Sequence, residues 1–162
     1  VGETAAQALD LAAKPGVQEI VVTRVFDAPR ERVFRAHTDP KLLAQWWGPA
    51  RLTTIVDKMD VRPGGSWRFI NRDADGNEFA FHGVFHEIVE PERITWTFEF
   101  EGMPGHISLE TVTFEEHNGK TTLTVHSVYQ AVEDRDAMVN AGMAEGLAES
   151  WDRLAALVET GS

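Results

Sequence analysis

The chain has 162 residues, 43% of them apolar, enough for one domain with a sizeable core. Lys and Arg number 15 against 26 Asp and Glu, a net charge of −11, which disfavours binding to a phosphate backbone or an anionic membrane surface and keeps the protein dissolved. Cysteine is absent, which removes disulfides, thiolate nucleophiles and thiolate metal sites and fits a cytoplasmic location.

No apolar run approaches the ~20 residues of a membrane span. The opening residues carry Glu3 and no apolar stretch of a signal peptide, and a start at Val1 reads as a trimmed or processed end. Residues 1–17 read as a tail, frayed or disordered, or as a short helix supported by Leu9 and Leu11. Residues 18–160 read as a single domain. Its first strand is Gln18–Phe26, rich in β-branched residues. Asp27-Ala28-Pro29 opens a helix, because proline in a first turn loses no hydrogen bond. Asp39 caps a second short helix with Pro40 at its first position, and Gly48-Pro49 ends it. Two consecutive large side chains do not share one narrow helix stripe. Of Trp46 and Trp47, one is expected in the core and the other over a pocket mouth or in solvent.

Beyond Pro49 the pattern alternates with period two. Strands are expected over Leu52–Met59, after Pro63-Gly64-Gly65 with Trp67 and Phe69 on one face, and over Phe79–Val89. In the last, Phe81 and Phe85 oppose Val84 and Ile88, so which face looks inward stays open; Gly83 marks a bulge or a close approach. Ile94, Trp96, Phe98 and Phe100 share one face. Ile107–Glu115 and Thr122–Tyr129 flank Asn118-Gly119, a type I′ hairpin signal. Val139, Met143, Leu147, Trp151, Leu154 and Val158 step by three and four, an apolar stripe of one long helix. Gly142, Gly146 and Ser150 form a small-residue stripe beside it, a mark of close packing or of space left open.

These elements resemble the helix-grip superfamily of the START lipid-transfer domains and the birch-pollen allergen. Within it, the chain looks like the branch named after the activator of heat-shock-protein ATPase (the Aha-type SRPBCC domains, or AHSA1-like). The resemblance rests on Phe26-Asp27-Ala28-Pro29, Thr38-Asp39-Pro40, Trp46-Trp47-Gly48-Pro49 and Met59-Asp60-Val61-Arg62-Pro63-Gly64-Gly65. Pro91-Glu92-Arg93-Ile94 and the closing Gly142–Leu154 helix complete it, so that it spans residues 18–158. It implies an α+β fold: a curved antiparallel sheet wrapped around a long C-terminal helix, two short helices, and an apolar pocket between sheet and helix. It also suggests a chaperone partner and a stress role, and, from elsewhere in the superfamily, a cyclase or hydrolase.

His82 and His86 lie four residues apart on a strand, ~13 Å, too far to share one metal; no metal site and no cofactor is expected. There is no GxSxG elbow, and Gly64-Gly65-Ser66 lacks the lysine of a phosphate loop. His82, His106, His126, Glu110 and Tyr129 are the acid–base candidates should they face a pocket; the flanking alternation assigns Glu110 to either face. The aromatic residues carry the stronger signal. A small hydrophobic ligand is expected against Trp47, Trp67, Phe69, Phe81, Trp96, Phe98, Phe114, Met143, Leu147 and Trp151. Homodimerisation is expected through a sheet edge or the Trp46/Trp47 end.

Overall fold

A computed structural model describes residues 9–159. Among them, eight strands form one curved antiparallel sheet in the order β1-β2-β8-β7-β6-β5-β4-β3. The strands are β1 (Asp10–Ala12), β2 (Glu19–Phe26), β3 (Thr53–Met59), β4 (Ser66–Arg72), β5 (Glu78–Val89), β6 (Arg93–Phe100), β7 (Ile107–His117) and β8 (Lys120–Tyr129). Helices α1 (Arg30–Thr38) and α2 (Pro40–Trp46) lie between β2 and β3, and α3 (Val132–Asn140) and α4 (Met143–Val158) close the chain. This is the helix-grip α+β fold.

Local chemistry accounts for most boundaries. The Asp39 side chain accepts from the Lys41 N–H at 2.9 Å and starts α2, with Pro40 at its first position. Asn118 and Gly119 both have positive φ (55° and 78°), the requirement of a type I′ turn, and join β7 to β8 with His117 opposite Lys120. Asp73 holds its hairpin by accepting from the backbone of Asp75 and Asn77, at 2.9 Å each.

Two expectations are corrected. Residues 10–12 form a strand on β2, with Leu11 opposite Val22, rather than part of a tail or helix; the reading of residues 1–8 lies outside the described residues. The expected single C-terminal helix is broken. Gly142 takes a left-handed conformation (φ 86°) and its N–H reaches the Val139 carbonyl at 3.3 Å, ending α3 before α4 begins. Val139 is therefore exposed, and the apolar stripe runs only from Met143.

The core lies between the concave face of the sheet and the helices. Ile20, Val22 and Phe26 of β2, Val112 and Phe114 of β7, and Leu123 of β8 are buried there with Val33 and Phe34 of α1. The second half of α4 is bonded on two sides. Ser150 donates to the Trp46 carbonyl at 2.9 Å and accepts from the Gly48 N–H at 3.2 Å, and Arg153 donates to the Gly48 carbonyl at 2.9 Å. Trp151 meets Phe26 edge-on at 5.8 Å, and Asp152 pairs with Arg24 at 2.7 Å. The first half packs through half-buried Met143 and Leu147. A methyl group at Gly146 would meet nothing within 4 Å, so space rather than close packing surrounds that glycine.

Candidate functional site

Eight aromatic rings converge on the concave face of β4–β6. Trp67 stacks on Trp96 with centroids 4.4 Å apart and planes at 25°, and Phe69 lies 4.6 Å from Trp67. Phe98 is 5.9 Å from Trp67 and 5.4 Å from Phe81, while Phe85 lies 5.8 Å from Trp96 and Phe100 5.1 Å from Phe81. Trp47 meets Phe69 and Phe81 edge-on at 5.1 and 5.2 Å. Trp67, Phe69 and Phe85 are buried; Trp47, Phe81, Trp96, Phe98 and Phe100 are half-buried and keep part of their rings accessible.

The backbone sets this arrangement. α2 ends at Trp46, and the extended backbone of Trp47 (φ −69°, ψ 127°) swings its ring to the sheet side. Trp46 turns the other way, buried, its indole N–H on the Ala36 carbonyl at 2.9 Å. The Thr54 hydroxyl donates to the Trp47 carbonyl and sits 2.9 Å from the buried Asn71 amide, fixing the loop. On β5, Phe81, Gly83 and Phe85 face inward. A bulge between Phe85 and Glu87 then leaves His86 and Glu87 both exposed, which is why the strand read ambiguously. Gly83 is a close approach: a Cβ there would lie 1.8 Å from the Thr97 carbonyl oxygen and 2.7 Å from the Trp67 indole nitrogen.

The register brings a polar group to the edge of the rings. Glu110 on β7 is opposite Trp96 on β6 and Ser127 on β8. The Trp96 indole donates to Glu110 Oε1 at 2.8 Å and the Ser127 hydroxyl to Oε2 at 3.2 Å. Burial pushes the Glu110 carboxyl above the ordinary carboxylate range, against the pull of these two hydrogen bonds. One residue pair further, Ser108 lies opposite Phe98 and Tyr129. The Tyr129 phenol is pushed up by burial and by the Glu110 charge. The Ser108 hydroxyl and the Trp67 indole nitrogen are buried with no hydrogen-bond partner. A surface of rings with one carboxyl and unspent polar atoms can hold an apolar body and orient a polar end.

Of the residues expected to line a ligand site, Trp47, Trp67, Phe69, Phe81, Trp96 and Phe98 meet here, and Met143 and Leu147 pack on the core from α4. Phe114 and Trp151 sit elsewhere. Phe114 is 1% exposed, wedged between Phe34 and His37, and Trp151 is 2% exposed, against Phe26. Phe85, Phe100 and Glu110 join the group; Phe100 was readable from its shared face with Phe98, whereas Glu110 needed the strand register. Of the acid–base candidates, Glu110 and Tyr129 face inward. His82 lies on the outer face with its Nδ1 2.9 Å from Glu101, His106 is 2.8 Å from Asp134, and His126 pairs with Glu19. His37 packs under the helices between Trp46 and Phe114, its pKa lowered to about 4 by burial. Hollows of about 300 Å³ beside Arg135 and about 190 Å³ beside Leu42 and Leu157 lie away from the rings.

Among the described residues, no three His, Cys, Asp or Glu side chains gather as a metal site would require, and no helix is long and apolar enough to cross a membrane.

No curated protein matches the chain significantly. Solved structures do. A Chromobacterium violaceum protein is 32% identical over 89% of this chain and 99% of its own, with a TM-score of 0.78. A Mycobacterium smegmatis protein is 25% identical over 96% and 99%, with a TM-score of 0.85. One from Arthrobacter aurescens, 23% identical over 94% and 92%, has a TM-score of 0.86 and speaks for the fold alone. The profile of the family described as "Activator of Hsp90 ATPase homolog 1-like protein" matches residues 27–159. The match covers most of the chain and agrees with the curved antiparallel sheet and closing helix of the fold, and the chain belongs to that family.

Proposed function

We propose that the protein binds a small hydrophobic molecule on its concave face, between β4–β6 and the first half of α4. One observation carries this reading: eight rings from four chain segments meet on one surface, and five of them stay partly accessible. A ligand covering ~200 Å² of apolar surface would gain about 5 kcal/mol before association costs, a weak to moderate affinity. The proposal includes a cytoplasmic location, supported by the absence of cysteine, and calls on no cofactor.

The test is a fluorescence titration with an uncharged dye, N-phenyl-1-naphthylamine, following both dye emission and quenching of tryptophan. Saturable binding at one site is expected, weakened at least tenfold by Gly146→Leu, which fills the space beside α4. Absence of saturable binding by the unmodified chain overturns the reading.

The family description supports a second reading, stimulation of a chaperone ATPase. Ile107, Leu109 and Val128 are exposed side by side on the outer face of β7 and β8, with Leu109 directly opposite Val128, the kind of apolar patch a protein partner covers. If it is correct, the chain raises the ATPase rate of a chaperone of the Hsp90 class and Leu109→Glu abolishes the effect. An unchanged ATPase rate with the unmodified chain removes this reading.

A further inference from the structure

We infer that the concave face selects an organic cation: a hydrophobic primary or secondary amine whose ammonium group rests on the Glu110 carboxyl while its body lies on Trp96 and Phe98. This rests on the hydrophobic-binding reading above and adds the charge of the ligand.

Glu110 is unusual in what surrounds it. Its carboxylate oxygens receive only neutral donors, the Trp96 indole and the Ser127 hydroxyl. Among the described residues no cationic side chain bonds to it. Tyr129 on β8 is the titratable group that feels the Glu110 charge, and Arg135 on α3 in turn acts on Tyr129. Arg135 is already committed, donating to the Lys14 carbonyl at 2.8 Å and pairing with Asp136 at 2.8 Å. A carboxylate taken out of water without countercharge is costly, and a cation arriving from outside relieves that cost.

The neighbours of Glu110 favour the same ligand sign. The faces of Trp96 and Phe98 carry negative electrostatic potential and attract a cation, and both rings remain partly accessible. The Ser108 hydroxyl is buried, unpartnered and on the same face as Glu110 two residues along β7, an acceptor available to a second N–H. Two acceptors for N–H bonds favour an amine that still carries hydrogens over a quaternary one. A ligand carboxylate would meet Glu110 as a like charge, in a molecule whose net charge of −11 already repels anions. An alcohol can hydrogen-bond but brings no charge to offset that of Glu110.

The experiment uses the full chain and three probes of one hydrocarbon body: 1-naphthylmethylamine, 1-naphthalenemethanol and 1-naphthoate, titrated by calorimetry at pH 7. The amine is expected to bind at least tenfold more tightly than the alcohol, and the naphthoate more weakly than either. The preference for amine over alcohol is expected to vanish in Glu110→Gln and to persist in Glu99→Gln on the outer face, with thermal melting confirming that both variants are folded. An alcohol that binds as tightly as the amine overturns the inference while leaving hydrophobic binding intact. Binding of none of the three overturns both. An amine preference retained in folded Glu110→Gln also overturns it, because the ammonium then rests elsewhere.

Discussion

Arg24 on β2 and Asp152 on α4 stand 2.7 Å apart, and this pair joins the first long strand to the last helix across 128 residues of chain. Arg24 is 4% exposed, and its Nε has no partner, whereas Asp152 is 60% exposed. The guanidinium is thus the buried member and the carboxylate its link to solvent. Asp152→Ala strands a buried cation and should cost about 1–2 kcal/mol, a buried-pair loss discounted for the exposure of Asp152. Arg24→Met removes the stranded charge and should cost less. Urea denaturation of the two variants checks the order.

Two glycines give opposite predictions. Gly83→Ala drives a methyl group into the Thr97 carbonyl and the Trp67 indole and should cost about 3 kcal/mol. Gly146→Ala meets nothing within 4 Å inside a helix and should stabilise by about 0.5–1 kcal/mol. Thermal melting of both separates a glycine required by crowding from one beside open space.

His37 should make the fold acid-sensitive. Its pKa falls from 6.5 to about 4 in the folded protein, because burial between Trp46 and Phe114 disfavours the charged ring. The unfolded chain therefore binds the proton first. The stabilisation is complete above pH 6.5 and is lost as pH falls toward 4, by on the order of 2 kcal/mol. His37→Leu should flatten this slope in urea melts taken across that window.

Glu110 should act in the opposite sense. Its carboxyl is raised by burial above the ordinary 4.5, so the folded state holds its proton longer than the unfolded chain does. The contribution is complete below the unfolded value and is lost as pH rises through the raised one. Glu110→Gln should therefore be more stable than the unmodified chain at pH 7, and the difference should disappear at pH 4.

What the sequence disclosed and what it hid divide along a physical line. Asn118-Gly119, Asp39-Pro40 and the alternation of Trp96, Phe98 and Phe100 are local signals, and each stands where the residues alone place it. The divergence of Trp46 and Trp47 also follows from local sterics. Long-range pairing was less visible. Glu110 could face either side until its register with Trp96 and Ser127 was known, and the β5 bulge reverses the alternation at a residue with no marker of its own. The stripe from Val139 to Val158 concealed a break, because Gly142 is compatible with a helix yet adopts the left-handed turn. The three members of the small-residue stripe prove to have three causes: a turn at Gly142, open space at Gly146 and hydrogen bonds at Ser150.

Mechanically, α4 is a cantilever. Its fixed end runs from Ser150 to Val158, fastened to Trp46, Gly48, Phe26 and Arg24; its light end, Met143 to Leu147, begins at the left-handed joint of Gly142. These side-chain hydrogen bonds and the ion pair all belong to the fixed end, whereas the light end is held by the apolar packing of Met143 and Leu147. Polar fastening and apolar packing are thereby assigned to different residues of a single helix.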